Sequence, residues 1–189
     1  MQTTKNLIVK EVSQIEVDNP YFSNTYIDYI YKAKIDIYGR KFGGILIIKK
    51  IDENSHRVVF TTEFGNKLFD FLFENDTVIN NFVIEELDKK FIVNTLQNDF
   101  KLLVSQKNKV LNQFDSGLED IYKTIDDKQF NFYFINKKSH ILDKIVRTSK
   151  SKVIVEVLFS NVESVIANSI LIHHKNIKLN IGLELFKKD

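Results

Sequence analysis

From Tyr26 to Ile37 the chain places apolar side chains at every second position: Ile27, Tyr29, Tyr31, Ala33, Ile35 and Ile37. Successive side chains of a strand point to opposite faces, so this alternation specifies a long strand with one buried face. The pattern recurs. Phe42 to Ile51, Arg57 to Thr62, Lys67 to Phe73 and Thr77 to Ile84 read as further strands. Short polar or Gly-containing connections separate them, at Tyr38-Gly39-Arg40, Asp52-Glu53-Asn54-Ser55, Glu63-Phe64-Gly65-Asn66 and Glu74-Asn75-Asp76. Connections this short specify an antiparallel meander. After Gly117 the β pattern resumes over Leu118 to Ile125, Phe130 to Ile135, His140 to Thr148, Lys152 to Phe159, Val165 to His173 and Ile177 to Phe186. Turns are expected there at Asn136-Lys137-Lys138, Ser149-Lys150-Ser151, Ser160-Asn161 and Lys175-Asn176.

One segment changes period. Across Glu85 to Ser105 the residues Leu87, Phe91, Ile92, Leu96, Phe100 and Leu103 recur at helical spacing. Lys89, Lys90, Asn94, Asn98 and Lys101 lie mostly opposite, which makes an amphipathic helix. Glu85 and Glu86 then fall near a helix start, where the macrodipole favours acids. Gln106 to Gly117 is polar and reads as an irregular connection, or as a short helix around Val110 and Leu111. In residues 1–20 only Leu7, Ile8, Val12 and Ile15 offer anchors, and Asn19-Pro20 ends whatever precedes it. The expectation is a single domain over 1–189, with an N-terminal segment, 1–20, whose order the sequence leaves open. The fold class is mainly β (α+β): a strongly curved antiparallel sheet or unclosed β-barrel, with one or more helices packed on its concave face.

Composition removes several function classes. There is no Cys, so disulfides, thiolate metal sites and thiol nucleophiles are excluded. Six Gly and one Pro argue against a loop-built fold and a glycine-rich phosphate cradle. A net charge of +2 from 27 basic and 25 acidic residues does not predict nucleic-acid binding. His173 and His174 are adjacent, so on a strand they diverge and cannot share an ion. His56 and His140 sit beside turns, and all four histidines read as surface or edge residues. The acidic neighbours Glu85-Glu86, Glu119-Asp120 and Asp126-Asp127 diverge likewise, and no Gly-x-Ser-x-Gly elbow accompanies any Ser. Neither a metal site, a cofactor site nor a catalytic constellation is expected. Gly43-Gly44, ahead of a strand run, reads as a close strand crossing or a bulge.

The aromatic residues are the informative set. Sixteen Phe and 7 Tyr occur with no Trp. Many Phe fall on the alternating strands, as in Lys67-Leu68-Phe69-Asp70-Phe71-Leu72-Phe73, where Phe69, Phe71 and Phe73 face away from Leu68, Asp70 and Leu72. Two readings stay open. These rings fill a core, or they line an apolar ligand cavity between sheet and helix.

Tyr38-Gly39-Arg40, then an apolar strand, a polar turn, another strand and Thr62-Glu63-Phe64-Gly65-Asn66-Lys67-Leu68-Phe69-Asp70-Phe71 resemble the periplasmic lipoprotein carriers and outer-membrane lipoprotein receptors, the LolA/LolB-like group. Gly39, Arg40, Phe64, Gly65 and Leu68 carry the motif match, and the following helix and closing meander fit that order. The chain departs from the group in lacking Trp and a lipidation Cys.

The resemblance implies an unclosed β-barrel with a helical lid over an apolar cavity for acyl chains. It implies a non-enzymatic binding protein of the bacterial cell envelope, holding an acyl chain or a lipoprotein lipid anchor, with a role in lipoprotein localisation to the outer membrane. The alternative is a ligand-free structural or partner-binding envelope domain. From alternation and helix face, the expected lining is Ile45, Ile47, Phe60, Leu68, Phe71, Phe91 and Leu96. No run approaches the ~20 apolar residues of a membrane helix. Met1 to Asn6 lacks the apolar centre of a signal peptide, which taken alone points to the cytoplasm. The resemblance instead points to a periplasmic or outer-membrane-anchored protein, whose signal and lipidation Cys lie outside this chain.

Overall fold

The computed structural model describes residues 7–75, 77–150 and 152–186. Two short strands, β1 (Ile8–Lys10) and β2 (Glu16–Asp18), come first. A first meander follows: β3 (Asp28–Ile37), β4 (Arg40–Asp52), β5 (Ser55–Thr61), β6 (Lys67–Glu74) and β7 (Thr77–Val83). Helix α1 (Lys90–Val104) leads to the second meander. That meander comprises β8 (Lys107–Asp115), β9 (Glu119–Asp126), β10 (Gln129–Asn136), β11 (Leu142–Ser149), β12 (Lys152–Glu163), β13 (Ile166–His174) and β14 (Leu179–Leu185). All pair antiparallel in one sheet, ordered β1-β8-β9-β10-β11-β12-β13-β14-β3-β4-β5-β6-β7, with β2 also on β8.

The two meanders meet where β14 pairs β3, from Leu179↔Ile37 to Leu185↔Tyr31. Among the described residues the outer strands of the sheet, β7 at one edge and β1 and β2 beside β8 at the other, do not pair with each other, so the sheet is unclosed. Covalently, residues 84–106 join β7 to β8. On a flat sheet those two strands would stand roughly 50 Å apart, at ~4.8 Å per strand. The 15 residues of α1 cover only about 22 Å of this, and a tight turn precedes them. The sheet therefore curves, bringing its free ends toward each other.

The core is where the alternation places it. Tyr29, Tyr31, Ala33, Ile35 and Ile37 of β3 are all buried, as are Leu179, Ile181 and Leu183 beside them. Phe69 and Phe71 stack at 4.7 Å, Phe60 lies 5.4 Å from Phe69, and Phe100 of α1 lies 5.5 Å from Phe69. Val93, Leu96 and Leu103 complete the helix's buried face. A second, smaller cluster of Ile121, Phe132, Phe134 and Val146 covers the opposite face of β9–β11. The Lys123 and Lys144 ammonium groups sit 3.9 and 4.0 Å from the Phe130 and Phe134 ring centres and shield that face from water.

Several expectations are corrected. Gln106 to Gly117 is not irregular: it holds β8, paired with β9 on one side and with β1 and β2 on the other. A register shift between Val110 and Asn112 breaks its alternation, so the buried residues are Val110 and Gln113, three apart. The helix begins at Lys90, not Glu85. Leu87, buried to 1 % exposure, is drawn into the core by a turn in which its amide and that of Asp88 both donate to the Ile84 carbonyl. Glu85 and Glu86 consequently lie outside the first helical turn, which holds no acid. The strand over Lys152 to Phe159 does not turn at Ser160-Asn161 but continues to Glu163. Asn161 adopts a left-handed φ of 51° while the pairs Ser160↔Ser169 and Val162↔Ala167 keep register around it. Near the N-terminus Ile8, Val12 and Ile15 are exposed, and the buried anchor is Val17.

On the outer face, the fully buried Asp70 carboxylate accepts from Arg57 Nε at 2.9 Å, Arg57 Nη2 at 2.7 Å, Lys67 Nζ at 2.8 Å and Asn81 Nδ2 at 3.3 Å. The Arg57 bonds hold its pKa well below the ordinary carboxylate range against the opposing effect of burial. An acid with a depressed folded-state pKa stabilises the fold above its unfolded value, ~3.9, and loses that contribution as pH falls toward the folded value. Asp70→Asn is expected to cost about 1–2 kcal/mol at neutral pH, since both bases are half-exposed. In urea titrations the gap between wild type and variant narrows below the ordinary carboxylate range; a gap constant with pH would refute the assignment.

Candidate functional site

Antiparallel alternation puts the 38–39, 62–66, 127–128 and 175–178 connections and Lys150 at one end of the sheet, together with the start of α1. Two clefts open there, and Phe91, 54 % exposed, lines both.

The smaller cleft holds about 330 Å³ between the β3–β4 hairpin and the start of the helix. Its walls are Ile37, Phe42, Leu87, Phe91 and Ile92, with Tyr38, Arg40, Glu86 and Lys89 at the edge. The hairpin reverses at Tyr38 (φ 52°) and Gly39 (φ 83°), a two-residue turn with both residues left-handed. The Asp36 carboxylate accepts from the Gly39 amide at 3.0 Å. Arg40 donates to the Glu86 carbonyl at 3.4 Å and lies over the Phe42 ring at 5.6 Å. Arg40 thus fastens the hairpin to the segment before α1.

The larger cleft holds about 840 Å³. One wall is α1 (Phe91, Thr95, Asn98, Asp99); the other is the β11–β12 turn and the β13–β14 connection. Val153, Ile154, Val155 and Ile177 supply apolar surface, and Lys150, Lys152 and Lys175 the basic groups. Beneath lies a buried polar cluster. His174 Nε2 pairs with Asp99 Oδ2 at 2.8 Å. Full burial pushes the Asp99 carboxyl pKa up, against the lowering effect of His174. Arg147 donates to Asn131 Oδ1 at 2.8 Å, Asp126 Oδ2 at 2.7 Å and the Asn98 carbonyl at 3.4 Å. These bonds tie the helix to β13, β11, β10 and β9.

The expected lining residues separate. Phe60, Leu68, Phe71 and Leu96 are buried in the main core. Ile45 and Ile47 are half-buried on the other face of β4, whose inward positions are Leu46 and Ile48. A strand apolar on both faces gives no signal for which set points inward. Phe91 alone of the seven borders the clefts. The motif residues Gly39, Arg40, Phe64, Gly65 and Leu68 all cluster at this end of the sheet. Phe64 is 94 % exposed, and Gly65 takes φ 84° in its turn.

The histidine expectation is corrected too. His56 and His174 are buried, His56 against the Phe22 carbonyl at 3.0 Å, and burial lowers the His56 pKa. Sequence reasoning missed this cluster, in which His174 meets Asp99 across 75 residues and Arg147 meets the Asn98 carbonyl across 49.

No family model and no curated protein matches this sequence. Solved structures do match by fold. A LolA superfamily protein from Nitrosomonas europaea superposes with a TM-score of 0.53 over 90 % of both chains, at 9 % identity. The fold is LolA-like. An outer membrane lipoprotein-sorting protein domain from Vibrio parahaemolyticus agrees, with a TM-score of 0.50 over 85 % of this chain and 83 % of that one, at 7 % identity. Within this LolA-like sheet, the interior beside α1 is occupied by Phe60, Phe69, Phe71 and Phe100, and the apolar cleft lies at the end where Phe91 stands, while a polar cleft of about 400 Å³, lined by Lys50, His56, Lys101 and Gln106, opens at the other end of the helix.

Proposed function

We propose that this chain is a non-enzymatic binding protein of the bacterial cell envelope that holds an acyl chain or lipoprotein lipid anchor. The supporting observation is the apolar cleft beside Phe91, at the open end of a LolA-like sheet and continuous with its core. We infer that α1 lies on the concave side. Its Phe100, Asp99 and Asn98 meet β6, β13 and β11, strands that only a curved sheet brings to one helix. In this reading the helix is a lid over the apolar cleft. A chain would bury hydrocarbon against Phe91, Ile92 and Phe42 at roughly 25 cal/mol per Å². A periplasmic or outer-membrane location accords with this reading.

The tightly filled interior favours a second reading, a ligand-free partner-binding domain. Its free strand β7, with Ile79 and Phe82 exposed, would carry the contact.

A synthetic diacylated lipopeptide separates the two. The first reading expects a one-to-one adduct in native mass spectrometry, weakened about tenfold by Phe91→Asp. Absence of any adduct, or an adduct indifferent to F91D, would favour the second.

A further inference from the structure

We propose that the larger cleft seats the anionic head group, a phosphate or carboxylate, of an amphiphile whose hydrocarbon chain passes over Phe91 into the apolar cleft. This rests on the acyl-chain reading and adds the chemistry of the ligand's polar end.

Charge carries the argument. Four cationic side chains line the cleft: Arg147, Lys150, Lys152 and Lys175. Arg147 is neutralised by Asp126 at 2.7 Å and Lys175 by Glu156 at 2.9 Å. Lys150 and Lys152 have no acidic partner among the described residues. Lys150 follows β11 and Lys152 opens β12 opposite Ser149, so both line the same wall of the cleft. The single carboxyl lining the cleft, Asp99, is buried and engaged by His174. The cleft is therefore electropositive.

A second observation points the same way. His174 lines the cleft, is 7 % exposed, and its Nδ1 is buried with no hydrogen-bond partner among the described residues. A buried polar atom without a partner is costly, and with its proton on Nδ1 the imidazole would donate to an anionic oxygen. Phe91 borders both clefts, so a chain lying over it would place the head group in one and the hydrocarbon in the other.

The test compares lysophosphatidate with the monoacylglycerol of the same chain, which lacks only the phosphate, and with inorganic phosphate alone. Titration calorimetry on the purified chain should find lysophosphatidate bound roughly tenfold more tightly than the uncharged lipid. Lys150→Gln with Lys152→Gln should abolish that preference and leave monoacylglycerol affinity unchanged. Inorganic phosphate should bind far more weakly than lysophosphatidate. Equal affinity for the two lipids, or a preference surviving K150Q/K152Q, overturns the head-group site while leaving the acyl-chain reading standing. Phosphate binding as tightly as lysophosphatidate overturns the amphiphile in favour of a free anion. Failure of both lipids to bind overturns both readings.

Discussion

Phe100→Ala will lower the unfolding free energy by about 3–5 kcal/mol, the usual cost of emptying a buried aromatic site. Phe100 is fully buried and meets Phe69, which in turn meets Phe60 and Phe71, so the vacancy would open beside a packed cluster of buried rings. A loss of that size removes much of the ~5–15 kcal/mol that holds a typical domain together. Phe100→Leu, which keeps most of the volume, should cost about 1 kcal/mol. Urea denaturation of the three proteins measures both. The result also bears on function: if F100A cost less than about 1 kcal/mol, the rings beneath the helix would not be close-packed, and a ligand could enter where they now sit.

Gly44→Ala is expected to cost about 3 kcal/mol or more, although it adds a single methyl. A Cβ at this position would lie 1.9 Å from the Thr61 carbonyl oxygen and 2.9 Å from its carbon. Both are backbone atoms, so no side-chain rotation relieves the contact. The end of β5 would have to lift away from β4, breaking the Ile45↔Thr61 pair. Gly43, one residue earlier, has nothing within 4 Å of its would-be Cβ, and Gly43→Ala should be nearly silent. Thermal melts of the two variants provide the contrast; equal shifts would contradict the close approach assigned to Gly44.

Gly43-Gly44 reads in the sequence as a close strand crossing or a bulge, and the structure shows a close backbone approach at Gly44 but open space at Gly43. Alternation made β3 and β14 readable, since each has one apolar and one polar face. It failed where alternation carries no contrast. In β4, Ile45 and Ile47 are as apolar as Leu46 and Ile48, so the inward face had to come from pairing with β3 and β5. In β8 a bulge and a polar composition erased the period, and only the partners on both sides make it a strand. The polar floor of the larger cleft was invisible for another reason. Asp99 sits in a helix, Arg147 and His174 on separate strands, and no local spacing links them. Phe91 was found by helical periodicity, yet the first turn of α1 leaves it exposed.

The pairing of β14 with β3 has a consequence for how the protein is made. Residues 28–37 leave the ribosome well before their partners, 179–185. Until then β3 offers its β14-facing edge to any passing strand. Contacts of such long sequence separation form slowly, and unpaired edges during that interval invite aggregation. Loss of β14 would leave β3–β7 and β8–β13 as two half-sheets with no strand pairing between them.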